Sequence, residues 1–258
     1  EDPARADIAP LSGGVSCETY RVVTEGRSYV IKQALPKLRV AEDWESDPAR
    51  IEAEAEALGW FHSLTPDFVP EPSAVFPELH VMVLPMAPSP SPDLRQLILE
   101  GELERPEEVG RVLSGLLVAW HSEDPAAAEH GLLDDTSRLV SLRLEPFYRD
   151  LARRWPERGG VINDAGDELL SARLAIVHGD FTPKNVLVHP GGLWLIDPEV
   201  AHIGNPVLDT ASMLSHALIK RLHLRKEASR MDQMIRFIEA FDAGLENSEV
   251  SRPESLSR

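Results

Sequence analysis

The sequence has few of the residues that build disulfide frameworks, basic surfaces and membrane spans. Cys17 is the only cysteine among 258 residues, so no disulfide can form within the chain. Lysine and arginine number 26 against 43 acidic residues, and the formal charge of -17 would repel nucleic acid. No apolar run is long enough to cross a bilayer. These absences argue against nucleic-acid and membrane partners and favour a cytoplasmic protein.

What remains is the composition of an ordinary folded protein, with 43% hydrophobic and 27% charged residues. A chain of 258 residues suits two modest lobes, each with a core of its own. The best boundary is the proline-rich stretch 85–92, because repeated prolines interrupt both helices and central strands. We therefore predict two domains, residues 1–86 and 87–258.

The pattern before the boundary indicates an antiparallel sheet with one helix. Extended segments are predicted at 11–15, 19–23, 28–32 and 80–84. The second and third of these flank a hairpin turn at Glu25-Gly26. Apolar residues recur at helical spacing from Ala49 to Leu64, which predicts the helix.

The pattern after the boundary is mainly helical. Helices are predicted at 93–99, 106–121, 139–155, 209–222 and 231–245. Short apolar strands interrupt them at 174–177, 186–189 and 193–196, the last two joined by a Pro-Gly-Gly turn. The polar tail from Glu246 to Arg258 is expected to be mobile. The fold class predicted for the whole chain is α+β.

One block carries the chemistry: His178-Gly-Asp180-Phe-Thr-Pro-Lys-Asn185, followed by Ile196-Asp197. An aspartate can orient a hydroxyl group and take its proton, while magnesium prefers hard oxygen ligands such as carboxylates and amides. The hairpin after Asn185 returns the chain, so Asp197 is expected close to the other two. We predict Asp180 as the general base, with Asn185 and Asp197 as magnesium ligands. Each residue alone would suit a turn, so the prediction depends on the combination.

This block resembles the motif of the aminoglycoside phosphotransferase and choline kinase families, which share the protein-kinase-like fold. The resemblance extends over residues 11–222. It implies a small N-terminal antiparallel-sheet lobe with one helix and a larger, mainly helical C-terminal lobe. It also implies a kinase that uses ATP or GTP with Mg²⁺ and transfers a phosphoryl group to a hydroxyl of a small molecule.

The same resemblance implies nucleotide-binding residues in the N-terminal lobe. The segment containing Gly13, Gly14 and Ser16 resembles the phosphate-covering hairpin of these families. Lys32, in Val-Ile-Lys, resembles their nucleotide-binding lysine. Glu54 is the expected partner of that lysine, because it matches the family's Glu-x-x-x-Leu spacing. Two other glutamates of the same helix stay open as its partner, Glu52 and Glu56.

The resemblance also implies roles for residues near the predicted linker and in the catalytic loop. Backbone groups near Leu84 and Met86 are expected to meet the edge of the nucleotide base, as the hinge does in these families. Asp209 resembles the aspartate that steadies the catalytic loop from a helix start, although a plain helix cap is an equally good interpretation. His178 is expected to brace the loop by hydrogen bonding.

Two segments resemble methylthioribose kinase in particular. They are residues 32–40 and Asp197-Pro-Glu199, and the second implies Glu199 as a further metal ligand. Pro183 and Asn185 follow the broader family instead. The predicted acceptor is therefore a small hydroxylated metabolite, with a pentose such as methylthioribose as the first candidate. The alternatives are an aminoglycoside phosphotransferase and a nucleotide-binding protein without catalysis, and the oligomeric state stays open.

Overall fold

The computed structural model describes residues 6–11, 14–24, 26–41, 43–126 and 131–246. The first part contains β1 (Asp7–Pro10), β2 (Cys17–Thr24), β3 (Arg27–Ala34), α1 (Arg50–Leu64), β4 (Ala74–Phe76) and β5 (Val81–Pro85). The second part begins with α2 (Leu94–Glu100), α3 (Pro106–His121), α4 (Ser137–Leu139), a π-helical stretch (Val140–Arg149), α5 (Asp150–Arg154) and α6 (Gly159–Ser171). It continues with β6 (Ala175–Val177), β7 (Val186–His189), β8 (Gly192–Leu195), β9 (His202–Gly204), α7 (Val207–His223) and α8 (Ala228–Glu246). Within these ranges no helix is both long and apolar enough to span a membrane.

The first five strands form one antiparallel sheet in the order β1-β2-β3-β5-β4, so β3 lies at its centre. Gly26 closes the β2–β3 hairpin with a φ of 89°, a conformation that glycine adopts without strain. Lys32 of β3 lies opposite Thr19 of β2 and Met82 of β5. Lys32 and Met82 are both buried. The central strand thus carries a lysine inside the protein, where its charge requires partners.

Helix α1 joins the sheet to the helical part of the chain. Leu58 and Phe61 on this helix are buried. The ring of Phe61 lies 4.2 Å from that of Trp120 in α3, and the Trp120 indole N–H donates to the Thr65 hydroxyl at 3.0 Å. One apolar core therefore crosses the predicted boundary between residues 86 and 87. The boundary itself stays a prediction.

Helices α3 and α8 pack closely through a glycine. A Cβ atom at Gly110 would lie 2.7 Å from the Phe237 carbonyl oxygen and 3.0 Å from the Phe241 nitrogen. Both phenylalanines are fully buried, and their rings stack at 6.1 Å. Helices α3 and α8 are thus tightly packed within the helical lobe.

The helix predicted at 139–155 exists but is not a regular α-helix. Its middle, Val140–Arg149, has the wider turns of a π-helix and contains Pro146, which has no N–H to donate to a regular helix. The wider turn directs Arg143 toward the carbonyl oxygen of Gly179, to which its Nε donates at 3.3 Å. The irregular stretch thereby adds a side chain to the catalytic loop.

The other predicted helices and the three later strands are present, but some elements differ from the sequence-based expectation. The extended segment predicted at 11–15 is wrong, because β1 ends at Pro10 and the described residues of that segment lie outside strands. Strands β4 and β9 and helix α6 were not predicted. Glu25 of the predicted turn and the tail beyond Glu246 lie outside the described residues.

Candidate active site

The catalytic loop predicted from the sequence follows β6 and leads into β7. Two residues of the site have a positive φ, Gly179 at 76° and Asp197 at 71°. Left-handed backbone at a residue with a side chain costs about 1–3 kcal/mol and is found mostly at functional sites. The β7–β8 hairpin between the loop and Asp197 brings these two segments together, as expected from the turn at 190–192.

Asp180 lies at the centre of the loop and is almost fully buried. Its Oδ1 is 2.9 Å from Nη2 of Arg143, and its Oδ2 is 3.0 Å from Nζ of Lys184. The Asn185 side-chain amide donates to the Asp180 Oδ2 and also to its carbonyl oxygen, each at 2.9 Å. The carboxylate is therefore held by three side chains and kept in one orientation.

Lys32 and its partners Glu54 and Asp197 form the second part of the site. Its Nζ lies 2.7 Å and 2.8 Å from the two carboxylate oxygens of Glu54, and it also donates to Oδ1 of Asp197. Burial disfavours the ammonium, but Asp197 and Glu54 together raise the pKa of Lys32 well above its ordinary value. Conversely, burial would raise the pKa of Asp197, yet Lys32 and Lys184 hold that pKa below its ordinary value. Lysine and aspartate therefore both stay charged at neutral pH.

Among the three glutamates considered for Lys32, the structure pairs it with Glu54. Glu54 is fully buried and faces the central strand, whereas Glu52 and Glu56 have no contact with Lys32 among the hydrogen bonds and ion pairs described. Glu54 lies one turn before the buried Leu58, so both face the interior.

Glu199 and Ser16, predicted as a metal ligand and a phosphate-binding residue, are bonded to each other. The Ser16 hydroxyl donates to Oε1 of Glu199 at 3.1 Å, and Arg50 Nε donates to Oε2 at 3.4 Å. Arg50 also donates to the carbonyl oxygens of Ser16 and Leu35. In this structure Glu199 thus links the start of β2 to the start of α1. Its role as a metal ligand stays a prediction.

The remaining nucleotide-binding predictions fall on the glycine segment and on the end of β5. Gly14 lies beside the start of β2, and Gly13 lies outside the described residues. Leu84 is buried opposite Val30. The Met86 N–H donates to the Ser28 carbonyl oxygen at 3.1 Å, so this amide is satisfied within the sheet. A role of these residues in binding the base stays a prediction.

Asp209 supports the catalytic loop from the first turn of α7. It is completely buried and accepts hydrogen bonds from the backbone N–H groups of His178 and Gly179, both at 2.8 Å, and from Nε2 of His121 at 3.1 Å. Burial works to raise the pKa of Asp209, but the bonds from His121 and the loop amides lower it below its ordinary value. The carboxylate therefore holds the loop rather than capping its own helix.

His178 braces the same loop from inside. Its Nδ1 accepts from the Asp180 N–H at 3.3 Å, and its Nε2–H donates to the Ile196 carbonyl oxygen at 3.2 Å. These bonds require a neutral ring with the proton on Nε2. His178 thus connects Asp180 to the strand that leads to Asp197.

Acidification is expected to destabilise the protein through His178. Burial lowers the pKa of this ring below 6.5, although the surrounding aspartates act to raise it. Below pH 6.5 the unfolded chain binds a proton that the folded chain does not, so stability present above this pH is lost as the pH falls. We expect this residue alone to reduce the unfolding free energy by up to ~1.4 kcal/mol per pH unit.

Urea unfolding between about pH 7.5 and pH 5.5 measures this effect. In a His178→Gln variant the stability loss on acidification should become smaller, because the group that titrates differently in the two states is gone. Replacement of the exposed His223 is the matched control and should leave the pH dependence unchanged. A His178→Gln variant with the wild-type pH dependence would contradict the assignment.

Sequence reasoning did not identify Arg143, Lys184, Arg50 and His121. Arg143 and Arg50 are distant in sequence from their partners, and no local pattern marks an arginine as a partner of a remote carboxylate. Lys184 lies inside the motif itself, four residues after Asp180, and its charge was a usable signal.

The chemistry of the donor set fits a magnesium ion held together with phosphate. Both hydrogens that Asn185 donates go to Asp180, so its amide oxygen is the atom left for a cation. Within the described part of the chain, no group of three or more His, Cys, Asp or Glu side chains could hold a metal by itself. Magnesium commonly uses one or two protein ligands and takes the rest from substrate phosphates and water.

A model of the phosphotransferase enzyme family matches residues 7–246. The methylthioribose kinase of Bacillus mycoides (strain KBAB4) is 26% identical over 234 residues; the match covers 78% of this chain and 57% of that protein, so the chain spans little more than half of its length. The fold is similar to that of a choline/ethanolamine kinase family protein from Mesorhizobium loti, with a TM-score of 0.53, 17% identity and coverage of 92% of this chain and 70% of the other. It is also similar to the streptomycin-ATP-APH(2")-IIa ternary complex, with a TM-score of 0.50, 12% identity and coverage of 96% and 84%. Because the family match extends over nearly the whole chain, the chain belongs to the phosphotransferase enzyme family.

Proposed function

We propose that the chain is an ATP-dependent small-molecule kinase that transfers the γ-phosphoryl group to a hydroxyl of its acceptor. The observation that carries this proposal is one site that contains a fixed carboxylate, Asp180, and a buried ion-paired cation, Lys32, with Asp197 in contact with that cation. Phosphoryl transfer needs these elements, because catalysis consists of orienting the hydroxyl and neutralising phosphate charge. A cytoplasmic location stays a prediction.

The residues of the site have distinct roles in the proposed phosphoryl transfer. Lys32, held by Glu54, binds the α- and β-phosphates. Asn185 and Asp197 would hold magnesium, which would supply positive charge to the phosphates. Asp180 orients the acceptor hydroxyl and takes its proton as the new bond to phosphorus forms.

A neutral pentose, such as methylthioribose, is our first candidate acceptor. The relatives named methylthioribose kinase support it, together with the Asp-Pro-Glu segment ending at Glu199. The surroundings of Asp180 disfavour an aminoglycoside as the alternative, because Arg143 and Lys184 both contact its carboxylate. Two cations beside the reacting hydroxyl would repel a polycationic acceptor.

The test is nucleotide consumption across a panel of methylthioribose, other pentoses, choline, homoserine and aminoglycosides. ATP and GTP are each supplied with Mg²⁺, and EDTA is added in a parallel series. Turnover with one acceptor class that EDTA abolishes would support the proposal and name the class. Tight nucleotide binding without turnover on any acceptor would support a non-catalytic nucleotide-binding protein instead.

Arg143 is expected to act as a positioning residue for Asp180. An Arg143→Gln variant loses the contact to Oδ1 and the bond to Gly179 and should lower kcat about 100-fold, because a small misplacement of a reacting group has effects of this size. Steady-state kinetics should show an unchanged KM for ATP. Arg149→Gln, on the same helical stretch but bonded to Asn163 and Asp167, is the matched control. Equal losses in both variants would mean that the effect is one of helix stability.

A further inference from the structure

Lys184 is the exposed residue of an otherwise buried loop. Its neighbours from Phe181 to Val186 are buried, whereas its own side chain is 44% exposed. The backbone around it is fixed by Pro183 and by the bond from the Asn185 N–H to the Thr182 carbonyl oxygen at 2.9 Å. The loop therefore holds the Cα of Lys184 in place, while its partly exposed side chain has room to change rotamer.

The ammonium of Lys184 interacts with two carboxylates of the site, Asp180 and Asp197. Its Nζ is 3.0 Å from Oδ2 of Asp180. Its charge also acts on Asp197. Burial raises the pKa of that carboxyl, whereas Lys32 and, to a smaller extent, Lys184 lower it. The positive charge of Lys184 thus acts on both carboxylates of the site.

The other two cations of the site are more enclosed and have more partners. Lys32 is held by two carboxylates. All three guanidinium nitrogens of Arg143 have partners, namely the Gly179 and Leu142 carbonyl oxygens and Asp180. An ammonium has three donors, and the contact of Lys184 with Asp180 uses one of them. Among the described cations around Asp180, Lys184 is thus the most exposed, with a side chain 44% exposed against 17% for Arg143 and 10% for Lys32.

We propose that Lys184 is a catalytic residue that binds the γ-phosphoryl group during transfer. The inference depends on the proposed function, in which the γ-phosphate must lie between the base and the metal ligand Asp197. The bond between the γ-phosphorus and the β–γ bridging oxygen breaks, the acceptor oxygen bonds to that phosphorus, and the acceptor proton passes to Asp180. Negative charge on the transferred group stays on its equatorial oxygens, where an ammonium stabilises it.

A shift of the Lys184 ammonium from Asp180 to the γ-phosphate would also free the carboxylate of Asp180. When ATP is absent, Lys184 occupies Oδ2 of Asp180. A γ-phosphate carries more negative charge than one carboxylate, so it draws the ammonium away from Asp180. The Oδ2 atom then becomes available to the acceptor hydroxyl, still oriented by Asn185. Binding of the complete triphosphate is thereby coupled to exposure of the base.

Calorimetric titration with Mg²⁺ and either ADP or a non-hydrolysable ATP analogue tests the contact without knowledge of the acceptor. A Lys184→Gln variant should bind the ATP analogue about tenfold more weakly and ADP within about twofold of wild type, because ADP lacks the γ-phosphate. Lys226→Gln, which removes an exposed charge beyond α7, is the matched control and should bind both as wild type does. Equal weakening of both ligands in Lys184→Gln would indicate a structural role and overturn the inference.

Turnover gives an independent readout. Lys184→Gln should lower kcat by about 100-fold with little change in the acceptor KM, and Lys184→Arg should recover part of the loss because the charge is kept. A wild-type protein that binds neither nucleotide would overturn the proposed function and this inference together. A wild-type protein with turnover whose Lys184→Gln variant keeps the same kcat and the same preference for the ATP analogue over ADP would overturn the inference alone.

Discussion

An Asp180→Asn variant is expected to show a kcat about 1,000-fold below that of wild type, or about 4 kcal/mol of lost transition-state stabilisation. The amide has the shape of the carboxylate and can still accept from Arg143, but it cannot take the proton of the acceptor hydroxyl. Among the described hydrogen bonds and ion pairs, Asp180 has none with Glu54 or with Lys32, the residue that binds the nucleotide in the proposed mechanism. The affinity for ATP should therefore change by no more than a few-fold.

The measurement is turnover with the best acceptor of the panel, together with calorimetric titration of nucleotide and a urea unfolding curve. Arg149→Gln is again a suitable control, because Arg149 lies in the helical stretch that carries Arg143 but contacts Asn163 and Asp167. An Asp180→Asn variant that is folded, binds nucleotide and retains kcat within tenfold of wild type would exclude Asp180 as the general base. A variant that neither folds nor binds nucleotide would instead assign Asp180 to the stability of the loop.

A Gly179→Ala variant is expected to be destabilised by about 3–5 kcal/mol. Gly179 has a φ of 76°, and a Cβ atom there would lie 2.5 Å from the Val200 carbonyl oxygen. The clash is with backbone, which cannot rotate away as a side-chain tip could. Because domains are stable by only about 5–15 kcal/mol, the variant should be close to unfolding at room temperature. Urea unfolding measures the difference directly.

Gly115→Ala is the matched control for this substitution. Gly115 lies inside α3, and a Cβ atom there would meet nothing within 4 Å. Alanine in a helix interior is favoured over glycine by about 0.5–1 kcal/mol, so this variant should be slightly more stable than wild type. A Gly179→Ala protein within about 1 kcal/mol of wild type would show that the loop relaxes around the added methyl group.

Much of the fold and the centre of the site could be predicted because the signals are local. The apolar periodicity of α1 and α3 predicted both helices closely, and helix α3 runs from Pro106 to His121 as expected. The loop containing Asp180 and Asn185 and the return of the chain to Asp197 followed from one motif and one hairpin turn. The choice of Glu54 came from the resemblance, through the family's Glu-x-x-x-Leu spacing that ends at Leu58, and the structure pairs Glu54 with Lys32.

The rest depends on tertiary contacts that no short window of sequence records. Helix α6 begins with two glycines and has a third at Gly166, which is unfavourable for a helix. A Cβ atom at Gly166 would lie 3.5 Å from Tyr148 and 3.6 Å from Leu144, so the helix packs closely on these two residues, and this packing outweighs the weak propensity. Arg143 reaches Gly179 from an irregular π-helical stretch that also contains Pro146. The bond between Ser16 and Glu199 joins residues 183 positions apart.

The aromatic rings packed behind the site restrict the distance between Glu54 and the loop of Asp180. Phe61, on the helix that carries Glu54, packs against Trp120 with ring centroids 4.2 Å apart and stacks on His178 at 6.2 Å, and both of these rings lie beside Phe181. A shift of α1 that moved Glu54 would have to displace rings that also support the loop of Asp180. The spacing between Glu54, which holds Lys32, and the loop of Asp180 is therefore set by the packing of these rings.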